Sequence, residues 1–309
     1  MGAESPATQA AVANAAQAGA CSTAAAGTAG NVIAKQPPSL VIEAQRRWRL
    51  LDAAEIWRYR DLFYFLAWRD VAVRYKQTVL GVLWAIIQPV MTMVVFTVFF
   101  GRLAGLDQRA GGVPYPVFVY AGLLPWTLFS QAVSRSSESL VGSAQLITKV
   151  YFPRLIVPAA ATGACLVDFA IACAVLVVMM LGYGMTPPAG AALLPAFLLL
   201  TVLAALGIGT LISALNVAYR DFRYVVPFMM QLWMLATPAI YAKDILPARW
   251  KWLGAANPMN AVVDAWRSCI LDEPLDWASI AASAATIALV LVLGLAYFRH
   301  AERQFADVI

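Results

Sequence analysis

From Gln77 to Gly101 the chain reads QTVLGVLWAIIQPVMTMVVFTVFFG, without a single charged side chain. About 20 apolar residues in a row are enough for a helix to cross the hydrocarbon core of a bilayer. The eight residues just before this run, Arg69 to Lys76, carry Arg69, Asp70, Arg74 and Lys76. A basic, membrane-skimming segment therefore feeds directly into a transmembrane one, and the rest of the chain is placed relative to that junction.

Counting the run that begins at about Gly81 and ends at Phe100 as the first span, there are five more. They lie at about Pro114 to Val133, Ile156 to Leu181, Ala191 to Leu215, Val225 to Tyr241 and Ala278 to Phe298. With 61% hydrophobic residues, 13% charged residues and a mean hydropathy of +0.71, the 309-residue chain does not suit a soluble fold. The expected fold is an all-α integral membrane protein of six transmembrane helices. A net charge of +5 fits Lys and Arg at membrane edges better than nucleic-acid binding, because the bases flank apolar spans.

Cys21, Cys165, Cys173 and Cys269 show no CxxC spacing, and His300 is the one histidine. A His-based metal site or catalytic triad within one chain is not expected, and the cysteines read as small hydrophobes. Residues 1–40 are rich in Ala, Gly, Ser, Thr and Gln and contain no Phe or Trp, so they read as a disordered tail. The AGAC at Ala18 to Cys21 lacks the charged start and bulky centre that a lipoprotein signal would need.

Residues 41–80 read as an amphipathic interface segment. Trp48, Trp57, Tyr59, Phe63, Tyr64, Phe65, Trp68 and Tyr75 interleave there with seven arginines. On a helical wheel Arg58, Arg69 and Lys76 align, while Ile56, Tyr59, Phe63, Leu66 and Val73 take another face. Either a simple anchor or a site for an anionic lipid or lipid-linked substrate fits that pattern.

Between the second and third spans, SRSSESLVGSAQLITKVYFPR offers Ser136 and Ser137 as N-caps and Glu138 for a first turn. Leu140, Ala144 and Ile147 repeat at helical spacing, which predicts a short amphipathic helix outside the bilayer, ended before Pro153. Residues 242–276 form a connection too long to be idle, and their prolines and tryptophans predict short interface-hugging or re-entrant helices. With both termini on one side, 16 of the 22 Lys and Arg lie on that side, so the positive-inside rule puts the termini, including the 299–309 tail, in the cytoplasm. No internal repeat is visible, which counts against an inverted-repeat carrier.

Trp84, Gln88, Thr92, Phe96 and Phe99 share one stripe of the first span, as do Trp233, Thr237 and Tyr241 in the fifth. Rings with scattered hydrogen-bond groups suit a sliding sugar polymer; ordinary helix packing is the commoner cause of such stripes. Asp168, in the middle of the third span, has to be buried, paired or protonated. With no second intramembrane acid or base to partner it, it reads as a structural hydrogen-bonding group. No GxxxxGK[ST] phosphate loop exists, so an active transporter built on this chain would take its motor from another.

Several segments together resemble the permease subunits of type 2 ATP-binding-cassette exporters that move O-antigen, capsule or teichoic-acid polymers. They are RDVAVRYKQTVLGVLWAIIQP (Arg69 to Pro89), YPVFVYAGLLPWTLFS (Tyr115 to Ser130), ITKVYFPRLIVP (Ile147 to Pro158), SALNVAYRDFRYVVPFMMQLWMLATPAIY (Ser213 to Tyr241) and NPMNAVVDAWRSCIL (Asn257 to Leu271). The resemblance implies a homodimer working with two ATPase subunits in the inner membrane, ATP and Mg being bound by the partner and no cofactor by this chain. It implies an entrance for a polyprenyl-pyrophosphate-linked glycan near Arg58, Arg69, Arg74 and Lys76. It also implies a coupling helix at about Ser136 to Val150, with Ser136, Glu138, Leu140, Ile147 and Lys149 facing the ATPase. Rival readings are a polyprenyl-phosphate sugar transferase, a proton-coupled carrier using Asp168, and an exporter of a smaller lipid or drug.

Overall fold

The computed structural model describes residues 57–76, 81, 83–103, 105, 112–239, 241 and 257–302. The expected tail at 1–40, the start of the interface segment, most of the 242–276 connection and residues 303–309 lie outside them. Every regular element among the described residues is helical.

Helix α1 (Arg60–Lys76) starts with Asp61 in its first turn and ends with Arg74 and Lys76 in its last. That polarity suits the helix dipole. A short link leads to α2 (Leu83–Phe96), which continues as a π-helical turn over Thr97–Leu103. α3 (Tyr115–Gly142) opens on a proline in its first turn, where no backbone N–H is needed. After α4 (Ala144–Lys149) come α5 (Ile156–Gly182), a 3-10 turn over Ala189–Leu193, and α6 (Leu194–Ala218). The last three are α7 (Phe222–Ala236), α8 (Pro258–Leu271) and α9 (Trp277–Ala301).

Five helical stretches among the described residues are long and apolar enough to cross a membrane: Leu83–Arg102, Tyr115–Gly142, Ile156–Gly182, Ala189–Ala218 and Trp277–Ala301. The segment expected as a fifth span is α7, 15 residues long, or about 22 Å at 1.5 Å per residue. That is short of a hydrocarbon core about 30 Å thick. Its end has a local cause: Thr237 precedes Pro238, and the proline ring drives the preceding residue out of the helical region, to φ −104°, ψ 134°.

α3 is the centre of the bundle. Most of its side chains are buried, from Tyr115 through Leu140, against α5, α6, α8, α2 and α7. α6 and α9 approach closely because Gly207 and Gly294 face each other: a Cβ on Gly294 would stand 2.2 Å from the Gly207 carbonyl oxygen. Small residues of this kind let membrane helices pack backbone to backbone. Thr162 and Thr201 donate back to the Pro158 and Phe197 carbonyls a turn earlier, so these hydroxyls need no water.

α8 is short yet buried along nearly its whole length, as suits a re-entrant helix. Asn257 caps it by accepting from the Met259 N–H at 3.0 Å, and Asp272 closes it in the left-handed conformation at φ 60°. Inside, Trp266 meets Phe169 edge-on with ring centroids 5.4 Å apart. Arg267, 2% exposed, binds Asp264 at 3.2 Å and the Tyr241 carbonyl at 3.3 Å, with its guanidinium 4.2 Å from the Phe118 ring centroid.

The short helix after the second span departs from expectation. α3 does not stop near Val133 but runs on to Gly142, so Ser136 and Ser137 are interior helical residues and not N-caps. Their neighbourhood explains this. Ser136, Ser137 and Leu140 are fully buried, Ser137 Oγ donates to the Ser134 carbonyl at 2.6 Å, and Asn216 Nδ2 donates to the Ser137 carbonyl at 2.9 Å. With a buried face to maintain, the break is deferred to Ser143. α4 is then only six residues long, ended by extended Val150.

Candidate functional site

α1 lies against α5 and forms one wall of a cleft. Leu66 and Val71 are buried, and the tip of the Phe63 ring fills the space where a side chain at Gly163 would stand, 2.9 Å from that Cβ position. Of the face expected to be apolar, Tyr59, Phe63 and Leu66 do pack inward, whereas Val73 is 61% exposed. Trp57, Tyr64, Phe65 and Trp68 are exposed on the opposite side, giving α1 an outward aromatic face as well as an inward one.

Between α1, the end of α3 and the start of α5 is a cavity of about 370 Å³. Its polar lining comprises Arg69, Asp70 and Arg74 from α1, Arg135, Glu138 and Ser139 from α3, and Ser143. Leu66, Val157, Ala161 and Ala164 are among its apolar walls. Three guanidiniums thus share one small cleft at the end of the bundle that also carries α4. Two are visibly compensated: Arg69 donates to Asp70 Oδ1 from Nε at 3.1 Å and from Nη2 at 2.9 Å, and Arg74 pairs with Asp168.

The last pair corrects the reading of Asp168 as a residue without a charged partner in its own chain. Arg74 supplies the charge and the Tyr75 hydroxyl donates a hydrogen bond, both from α1. Sequence could not show this, since the partners stand 93 or more positions away on a helix read as lying at the interface. Of the four residues expected at the entrance, Arg69 and Arg74 line the cleft. Arg58 and Lys76 are exposed and do not line it. Sequence reasoning misses Arg135; a lone base closing a long apolar run is the signal that marks it.

The two stripes part company. Trp84 (52% exposed), Gln88 and Phe99 (58%) of the first span are exposed, while Thr92 donates to the Gln88 carbonyl and Phe96 is half-buried beside Phe100. In the other stripe, Trp233 packs edge-on against Trp126 and Phe129, and Tyr241 is half-buried with its hydroxyl on the Leu235 carbonyl. Thr237 is fully buried; it donates to the Trp233 carbonyl and accepts from Asn257 Nδ2 at 2.9 Å. Around α4 the exposed side chains are Gln145, Thr148, Lys149, Val150 and Tyr151, the last 91% exposed, whereas Ile147 is buried with Leu140 in a cluster that includes Leu66 and Phe298. Of the other residues expected to meet the ATPase, Ser136 is buried and Glu138 is exposed in the arginine cleft.

Among the described residues no group of three or more His, Cys, Asp or Glu is placed to hold a metal ion. The arrangement offers instead an exposed apolar stripe, a cationic cleft and an exposed polar turn. Residues 61–271 match the family described as ABC-2 type transporter. Over 250 residues the chain is 29% identical to the O-antigen export system permease protein RfbA of Klebsiella pneumoniae, covering 81% of this chain and 95% of that one. The protein of the same name from Myxococcus xanthus is 28% identical over 82% of this chain and 98% of its own length. The polysialic acid transport protein KpsM of Escherichia coli is 24% identical over 76% and 91%.

Proposed function

Because this chain belongs to the ABC-2 type transporter family, we propose that it is the permease subunit of an ATP-driven exporter carrying a polyprenyl-pyrophosphate-linked polysaccharide, of O-antigen type, across the inner membrane. One observation carries the reading: the similarity to two O-antigen export permeases extends over nearly their entire length, and the family match at residues 61–271 runs from α1 through α8. The working unit is two copies of this chain with two ATPase subunits, which bind ATP and Mg; the chain itself catalyses no bond-breaking step. Both termini are cytoplasmic, and the arginine cleft then lies on the cytoplasmic side, where a lipid-linked substrate is made.

In this reading the cleft receives the diphosphate. Guanidinium groups suit phosphate oxygens through paired, charge-assisted hydrogen bonds. Arg69 and Arg135 face the cavity, and Arg58 and Lys76 at either end of α1 add long-range attraction. The exposed turn at Lys149 to Tyr151 is the contact through which the ATPase moves the bundle. The exposed stripe of α2, with Trp84 and Phe99, meets the polymer where two copies adjoin.

The test is complementation. Expressed with its own ATPase in a strain whose O-antigen permease is deleted and whose polymer assembly is intact, this chain is expected to restore polymer at the cell surface. Polymer that remains lipid-linked inside, with both subunits present in the membrane, would refute the reading. Restored export of a small lipid alone would favour the exporter of a smaller molecule.

A further inference from the structure

Asp168 sits near the middle of α5, yet both groups that hold it, the Arg74 guanidinium and the Tyr75 hydroxyl, come from α1. The side chains of the ion pair are 18% and 16% exposed. Withdrawing two charges from water is expensive, and an apolar pair of similar size commonly holds a fold as well. Stability alone is thus a weak reason for the pair. Its contribution is location, because it binds an arginine of α1 to a carboxylate inside the bundle.

Location matters here because α1 leads straight into the first span. Lys76 ends α1 and Leu83 begins α2, so a link of six residues ties the two. α2 has little else to fix it: along its 14 residues Met93 alone is buried, and its packing is against α3 and α5 on one side. Phe63, Leu66 and Val71 pack on the bundle, but beyond Val71 the last turn of α1 has Val73 and Lys76 exposed. The ion pair therefore ties down the last turn of α1, at the junction between the interface helix and the first span. It also turns one of the three guanidiniums of the cleft toward α5, relieving the repulsion among like charges there.

We propose that Asp168 is a positioning residue for transport: acting through Arg74 and Tyr75, it sets where α1 ends and hence where the first span, with its exposed Trp84 stripe, begins. The inference rests on the transport reading above. Its structural half stands apart from that reading and is tested apart. In an Asp168→Asn chain Arg74 loses the charge that holds it to α5 and is drawn back toward the carboxylates of the cleft, headgroups and water, and the start of α2 moves with it.

Two measurements on the full chain with its ATPase partner decide the matter. Spin labels at Lys76→Cys and Val178→Cys, both exposed positions, on a cysteine-free background report the distance from the end of α1 to α5. Polymer export is read in the complementation strain, per unit of membrane-inserted, ATPase-bound protein. Asp168→Asn is expected to broaden or shift the distance and to lower export at least tenfold while ATP hydrolysis stays within about twofold of the parent. Asp168→Glu is expected to retain both, and the exchange Arg74→Asp with Asp168→Arg to restore both. Should Asp168→Asn fail to insert, the exchange carries the test. An unchanged distance in Asp168→Asn overturns the positioning role, as does export at the parental level. An exchanged chain with a normal distance and no export also overturns it, because Arg74 would then act on the substrate directly. If the parental chain exports no polysaccharide, the functional reading fails by itself and the distance measurement still judges the pair.

Discussion

Arg267 shows how one side chain fixes an irregular part of the fold. Its guanidinium reaches Asp264 on its own helix, the Tyr241 carbonyl beyond α7 and the face of Phe118 on α3. It thereby ties three separate stretches at the end of the bundle opposite α4. Removing it leaves a carboxylate and a carbonyl without their donor in a poorly hydrated place. Arg267→Met is expected to cost about 3 kcal/mol, in the range for breaking a buried pair, read as a lowered unfolding midpoint in detergent. A midpoint unchanged within error would mean that Asp264 and Tyr241 find other partners. Leu140 and Tyr151 make a second contrast. Leu140 belongs to the segment expected to face the ATPase and Tyr151 directly follows it, yet Leu140 is 0% exposed and Tyr151 is 91% exposed. Leu140→Ala should destabilise the chain by about 2–5 kcal/mol through the cavity it leaves. Tyr151→Ala should leave stability unchanged and weaken ATPase co-purification; equal loss of stability in both variants would contradict the division.

Among elements, the pairing of α6 with α9 depends on the absence of side chains at one crossing. An alanine at Gly294 would bring its Cβ against the Gly207 carbonyl, and one at Gly207 would meet the Leu291 backbone at 2.8 Å. Backbone cannot rotate aside as a side chain can, so the helices would have to separate. Gly294→Ala is expected to destabilise by about 1–3 kcal/mol. Gly142→Ala, at the end of α3 with nothing within 4 Å of the added Cβ, is the control and should be neutral or slightly stabilising. Melting of the two variants side by side in detergent checks the argument, and equal midpoints would defeat it. The same reasoning separates α3, enclosed on nearly all sides, from α2, whose outward face is bare. A helix of that kind fits an interface with a second copy or with a passing polymer.

For the whole molecule, the exposed stripe gives a prediction about transport. Trp84→Ala and Phe99→Ala remove rings that are about half exposed, so each is expected to slow polymer export severalfold while leaving the thermal stability of the chain and ATP hydrolysis unchanged. Parallel loss of stability and export would assign the rings to packing. Five of the expected spans and their order were legible in the sequence because a bilayer imposes a length and an apolar character that can be read without knowing any contact. α5 begins where expected, at Ile156, and α9 within one residue of expectation, at Trp277. Sequence also exposed the basic stretch before the first span. Three things required the tertiary structure. The end of α3 moved from Val133 to Gly142 because Ser136, Ser137 and Leu140 belong to a buried face that a break would disrupt. Thr237 proved to be a buried link to Asn257, because a polar group on a helical stripe does not say which neighbour covers it. Asp168 acquired Arg74 because Coulomb attraction acts across space, and the separation between α1 and α5 is a property of the packed bundle that local sequence does not encode.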